Sequence, residues 1–397
     1  MEFETEKIES PIAASLLEDE ATEIEAKEVL GRDDVRIHVA SQWLLIWWRF
    51  RRHKLALFSA IVLVIVYLIV LFAEFLAPYD PGDYSARYTY APPQTLHLID
   101  SDTGQLRFDP FVNDYKVEVD PQALRRTFVL DPEKQIPVRF FVHSWSYKLF
   151  GLIPTDIHLI GTANSTDRLY LFGADAVGRD VLSRIIYGTR VSMTIGLVSV
   201  AISLVLGIFL GGISGYYGGW IDNLIQRVID FLRSLPTIPL WLGLAAAFPI
   251  TWGPLQTYFA ITLILSLIGW TALARVVRGR FLALRTEDFV MAARLDGASQ
   301  MSVIFEHMLP AFYSHIIASI TLAIPQTILA ETALSFLGLG LRAPVVSWGV
   351  LLQDAQNIRA VATAPWLLAP AVGVVVAVLA LNFLGDGLRD AADPYVH

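Results

Sequence analysis

Five stretches of this chain contain no Asp, Glu, Lys or Arg and are long enough to matter: 55–73, 191–221, 234–274, 308–330 and 360–385. An apolar helix needs about 20 residues to cross the roughly 30 Å of hydrocarbon in a bilayer. The 234–274 run is long enough for two spans, divided at Thr251, Trp252, Gly253 and Pro254. Six spans result. They must be helices, because lipid offers backbone N–H and C=O groups no partners. Only 17% of the residues are charged, against about 25% in soluble domains. The expected fold is an all-α polytopic membrane protein with six transmembrane helices.

Charge asymmetry orients those helices. Arg49, Arg51, Arg52 and Lys54, beside Trp47 and Trp48, precede the first span and mark a cytoplasmic flank by the positive-inside rule. Arg275, Arg278, Arg280 and Arg285 follow the fourth span and place its end on the same side. Six spans return the C-terminus there as well. Both termini and the loop 281–310 are then cytoplasmic, and 79–188 falls outside.

That outer segment is too long for a structureless connection. Turn signals (Asp80-Pro81-Gly82, Ala91-Pro92-Pro93, Ser101 to Gly104, Asp109-Pro110) alternate with strand-like runs at 95–99, 115–119, 127–130, 138–142 and 157–160. They predict an extracytoplasmic β-rich insertion, either a cap on the outer mouth or a docking surface. Residues 1–34 carry twelve acids against three bases, a local charge of −9, so the rest of a chain with net charge −8 sums to +1. Such a leader cannot bury a core, and 1–40 is expected to be a disordered cytoplasmic tail. The division predicted is therefore 1–40, an interfacial segment and first span at 41–78, the insertion at 79–188, and a five-helix core at 189–397. Within that core, Ile221, Leu224, Ile225, Val228, Ile229 and Leu232 predict an amphipathic helix over 219–233. Gly207, Gly211, Gly212 and Gly215 give the small-residue spacing that lets helices approach closely, within the bundle or at a seam with a second subunit.

Enzyme signatures are missing from the sequence. No phosphate-cradling Gly-x4-Gly-Lys loop occurs, nor His-Glu-x-x-His or Gly-x-Ser-x-Gly, and the chain has no cysteine. The most patterned polar stretch is 287–310. Glu287 and Asp288 suit a helix N-terminus, Met291, Ala292 and Ala293 continue a helix, and Gly297 suggests its end. Ala293, Gly297 and Ala298 are small enough to form a flat face for another protein's groove. Glu331 lies in an apolar helix, where a carboxyl faces a cavity or partner, or sits near the outer water boundary. The boundary is favoured, because Ser335, Gly338 and Gly340 signal a helix nearing its end.

These stretches resemble the binding-protein-dependent ABC importer permeases, in particular the C-type dipeptide/oligopeptide subunits. Ala292, Ala293, Gly297, Leu309 and Pro310 match the EAA-type coupling loop, with Met291 where that motif has glutamate. Residues 172–192, 331–349, Ala364-Pro365-Trp366 and 382–394 match further family stretches in order, and 49–81 matches the leading span. Residues 1–40 and most of 82–170 lie outside the usual pattern.

The resemblance implies coupling to an ATPase through Ala292, Ala293, Arg294, Gly297, Ala298 and Ser299, with Glu331 a candidate on the substrate path. It implies a homologous B-type permease as heterodimer partner, two ATPase subunits that bind ATP and Mg, and an extracytoplasmic substrate-binding protein. The chain would hold no cofactor, metal or nucleic acid of its own and would sit among lipids in a prokaryotic inner membrane. Peptides are the expected solute; oligosaccharides or nickel complexes are alternatives on the same machinery. An ion-coupled secondary transporter would need midplane acids, and the spans offer Glu331 alone. A membrane-anchored enzyme working through 82–188 would need clustered catalytic residues, which the sequence lacks.

Overall fold

A computed structural model describes residues 42–99, 106–119, 126–164, 166–249 and 251–392. The acidic tail expected over 1–40 and the turn signal at Ser101 to Gly104 lie outside the described residues. Helix α1 (Gln42–Arg52) breaks at His53 into α2 (Lys54–Leu71), whose first turn is capped by the His53 imidazole accepting from the Ala56 N–H at 3.1 Å. A four-stranded sheet follows: β1 (His97–Ile99), β2 (Leu106–Val119), β3 (Arg126–Leu149) and β4 (Ile153–Thr162). The main elements described after the sheet are helices: α3 (Val181–Tyr217), α4 (Gly219–Ser234), α5 (Thr237–Ala246), α6 (Pro254–Leu284), α7 (Asp288–Leu295), α8 (Tyr313–Phe336), α9 (Trp348–Gln353) and α10 (Ala369–Ala392).

Among the described residues, five helical segments are long and apolar enough to span: α2, α3, α6, most of α8, and α10 with the turn before it. The third expected span is a broken element. Helices α4 and α5 meet at 85°, so six spans result only if that bent pair counts as one. The cause is local. Pro236 has no N–H and pushes Leu235 out of the helical region, to φ −81° and ψ 134°. The ten residues of α5 rise only about 15 Å, half the hydrocarbon thickness.

The bundle is built around α3 and α6. Ser199, Ser203, Gly207, Gly211 and Gly215 recur every four residues and form one stripe on α3. Ser199 and Ser203 donate to the Thr262 and Ser266 carbonyls, each at 3.2 Å. A Cβ at Gly211 would lie 2.5 Å from the Ala274 carbonyl oxygen, and one at Gly215 would lie 2.6 Å from the Phe281 Cβ. The glycine spacing therefore serves packing within this chain.

The sheet is antiparallel in the order β1-β2-β3-β4. Its five expected strand runs become four strands, because 127–130 and 138–142 both belong to β3. The register shift between Asn113 and Asp114 explains the apparent interruption. Asn113 pairs with Gln135 and Asp114 with Asp131, so residues 132–134 are extra on β3.

Sheet and bundle are joined by polar contacts. The His158 ring bonds the carbonyls of Glu74 and Trp145, each at 2.9 Å, and the Glu74 carboxyl pairs with Arg190 on α3. Asp175 pairs with Arg179 at 2.7 Å and with the buried Arg184. Burial pushes the Asp175 carboxyl up, but Arg184, the Arg179 and Val177 N–H groups and the Arg179 side chain outweigh it and hold it below the usual range. Next to it, Asp180 caps α3 by accepting from the Ser183 N–H at 2.7 Å. Burial there wins over the Ser183 hydrogen bonds and pushes its carboxyl up to about 6.

Candidate coupling surface

The loop between α6 and α8 is built as a small interlocked unit. Glu287 stands at the N-cap of α7, where the exposed N–H groups favour negative charge. The helix ends in a Schellman turn. The Ala298 N–H bonds the Ala293 carbonyl at 3.0 Å, the Gly297 N–H bonds the Arg294 carbonyl at 3.1 Å, and Gly297 takes φ +83°. Ser299 then caps the next turn, accepting from the Ser302 N–H at 3.2 Å. A π-helical turn, Val303–Met308, carries the chain back to the bundle.

One face of this unit is core. Val290 and Ala293 pack with Val303, Ile304 and Met308, against Phe281 at the end of α6 and Phe312 at the start of α8. The Phe281 and Phe312 rings meet edge to face at 5.7 Å. The loop also grips the end of α3: the Arg294 guanidinium lies 5.1 Å from the centre of the Tyr216 ring, and the Tyr217 hydroxyl bonds Gln300 Oε1 at 2.9 Å. Displacing the loop therefore means displacing the ends of three long helices.

The six loop residues singled out from sequence divide between two faces. Ala292, Arg294, Gly297 and Ser299 are exposed, Ala298 is half-buried against the core, and Ala293 is buried. Ala293 cannot contribute to an outward flat face, because its methyl fills the seam under α7. The outward face is instead apolar and bulky: Phe289, Met291, Leu295, Met301 and Phe305 are exposed, Leu295 by 86%. From sequence, Met291 was named only as a helix former and motif position, and the other four were not singled out. The available signal was an excess of large apolar side chains beyond the one stripe a short amphipathic helix needs.

Glu331 does not sit at a water boundary. It is fully buried, and both carboxyl oxygens accept hydroxyl hydrogens, Oε2 from Ser192 at 3.0 Å and Oε1 from Ser335 at 2.8 Å. The boundary expectation failed because the chain after α8 folds back: α9 covers the helix end with Gly349, whose Cβ position would lie 2.6 Å from the Thr332 carbonyl.

A second buried anchor was missed. Asp222 on α4 accepts from Arg278 on α6 through both oxygens and from Ser214 at the end of α3. Asp222→Asn is expected to cost about 1.5–3 kcal/mol, the range for hydrogen bonds to charged groups. It should lower the thermal unfolding midpoint in detergent, and an unchanged midpoint would show that α4 is held by Ile229, Trp270 and Ala274 alone.

Long apolar helices, with a packed loop between two of them that exposes an apolar face, define a multi-pass membrane protein. A family model described as the binding-protein-dependent transport system inner membrane component matches residues 203–397. A second, the N-terminal TM domain of oligopeptide transport permease C, matches residues 41–93. The dipeptide transport system permease protein DppC of Alkalihalophilus pseudofirmus is 40% identical over 224 residues, 56% of this chain and 71% of that protein. The oligopeptide transport system permease protein OppC of Haemophilus influenzae is 38% identical over 241 residues, 60% of this chain and 75% of that one. A solved structure of the MetNI methionine ABC transporter, in inward-facing conformations, overlays with a TM-score of 0.44 at 19% identity, covering 53% of this chain and 97% of that one. The chain belongs to the permeases of binding-protein-dependent ABC transport systems, the family that includes the dipeptide and oligopeptide permeases.

Proposed function

We propose that this chain is the C-type permease subunit of an ATP-driven importer that moves di- or oligopeptides across a prokaryotic inner membrane by alternating access. The observation that carries the reading is the loop 281–310, packed inside and apolar outside, tied to the ends of α3, α6 and α8. The peptide solute is supported by the named relatives, which are dipeptide and oligopeptide permeases. In this reading both termini and the loop face the cytoplasm, and the sheet faces outward. A homologous B-type permease completes the pore, a substrate-binding protein delivers the solute, and two ATPase subunits bind ATP and Mg and supply the chemistry.

Its contacts support a mechanical role for this chain. An ATPase closing around Leu295 and its exposed neighbours pushes on α7. Val290 and Ala293 pass that push to Phe281 and Phe312, so α6 and α8 tilt together. The close seam between α3 and α6 then carries α3 with them. Removing the outward contact should uncouple the pump without unfolding it. Leu295→Asp puts a charge on a side chain that touches almost nothing in this chain, so membrane insertion is expected to be normal. Copurification of the ATPases and ATP-driven uptake of a labelled peptide into proteoliposomes are expected to fall to background. Normal uptake in that variant would overturn the coupling assignment.

A further inference from the structure

The β3–β4 hairpin leaves six apolar side chains exposed: Phe140, Phe141, Phe150, Leu152, Ile153 and Ile157. Leu152, at the turn, is 82% exposed. An apolar patch of this kind marks a contact with something outside the sheet.

Its position says what that something is. The Phe150 ring meets Phe72 at 5.6 Å between centroids, and the Phe141 ring meets Phe75 at 6.1 Å. Phe72 closes α2, whose 18 residues rise about 27 Å from the arginine-flanked end, close to the roughly 30 Å of a hydrocarbon core. The hairpin tip therefore stands at the level where α2 leaves the bilayer. Just inside that level α2 exposes Leu68 and Leu71, so the hairpin tip adjoins a surface that already faces lipid.

The backbone points the same way. Phe141 and Phe150 both adopt φ 55°, and among the described residues Tyr90 is the one other non-glycine with positive φ. Bulky residues enter this region only where the surroundings hold them there, and such strain clusters at sites of function. Both strained residues are aromatic and exposed, Phe150 against the end of α2 and Phe141 against the short helical turn Ala73–Leu76 that follows it. Arg139 and Lys148 are exposed on the same hairpin, with stems long enough to reach lipid phosphates from beside an apolar patch. Neither family model extends over this region; they stop at residue 93 and resume at 203.

We propose that the tip of the β3–β4 hairpin inserts into the lipid interface beside α2 and so fixes the sheet to the membrane surface. Aromatic and aliphatic side chains at the headgroup level are the usual anchors for such a contact. The proposal does not depend on the solute the importer carries. The chain has no cysteine, which makes a site-specific test direct. The full chain carrying Leu152→Cys or Gln135→Cys is spin-labelled in bilayers of phosphatidylethanolamine and phosphatidylglycerol, and collisions with oxygen and with a water-soluble nickel chelate are compared. Gln135 is exposed on the same strand in the half that pairs with β2. The label at 152 is expected to show an oxygen-to-nickel ratio severalfold above that at 135. Equal ratios would mean the tip faces water and would overturn the proposal. A label at 152 shielded from both reagents would overturn it too, by showing a protein on the patch.

Discussion

Gly211→Ala is expected to lower the thermal unfolding midpoint of the solubilised protein and to impair uptake, while Gly212→Ala leaves the midpoint unchanged or raises it. The two glycines are neighbours on one helix, so propensity alone predicts the same effect for both, a gain of about 0.5–1 kcal/mol for replacing glycine by alanine. They differ in what a Cβ would meet. At 211 it would lie 2.5 Å from the Ala274 carbonyl oxygen and 2.8 Å from the Ala274 Cα, which is backbone and cannot rotate away. At 212 the nearest atom is Phe281 Cζ at 3.6 Å, an ordinary contact. Parting α3 from α6 at 211 strains the serine bonds at 199 and 203, for a cost of about 1–3 kcal/mol typical of overpacking. The check is a pair of melting curves in the same detergent. Indistinguishable curves would mean that the α3–α6 seam is looser than its atomic distances imply.

The second large effect is expected at Glu331. Its two oxygens accept from Ser192 and Ser335, and those hydroxyl oxygens in turn accept the Trp348 N–H at 3.2 Å and the Leu341 N–H at 3.0 Å. One side chain thus holds both ends of the segment that folds back over α8. Glu331→Leu leaves two buried hydroxyl hydrogens without acceptors, at about 1–3 kcal/mol each. Glu331→Gln keeps one acceptor oxygen and turns an amide nitrogen toward the other hydroxyl, so about half of that loss is expected. The order wild type, Gln, Leu in both melting midpoint and uptake is the expected result. A leucine variant as stable as wild type would show that the backfold is held by packing of Trp348 and Gly349 and not by the carboxyl.

These two sites show where sequence reading stops. The apolar runs announced the helices because lipid imposes a requirement that composition alone can meet. Glycine at every fourth position announced close approach, and Glu287 and Gly297 announced the two ends of α7. Periodicity and end signals are local properties, legible one residue at a time. Which side of α7 would be buried was not local: Ala293 went inward because α6 and α8 close over it, leaving Leu295 and Met291 outside. The depth of Glu331 was likewise hidden, since Ser335 and Gly338 signal a helix end equally well beneath a covering segment or in open water. The break at Pro236 has a local cause, but no spacing along the chain announced that Asp222 on α4 would pair with Arg278 on α6.

By itself, then, the sequence determined that this chain crosses a membrane several times and presents a patterned polar loop between two of its apolar runs. Those properties follow from side-chain transfer energies and backbone propensities, which depend on neighbours along the chain. Only the tertiary structure decided which face of the loop looks outward, that the glycine stripe serves α6, that Glu331 is sealed inside, and that the hairpin reaches the end of α2. Each of these depends on residues tens to more than a hundred positions apart meeting in space, and no spacing along the chain records that.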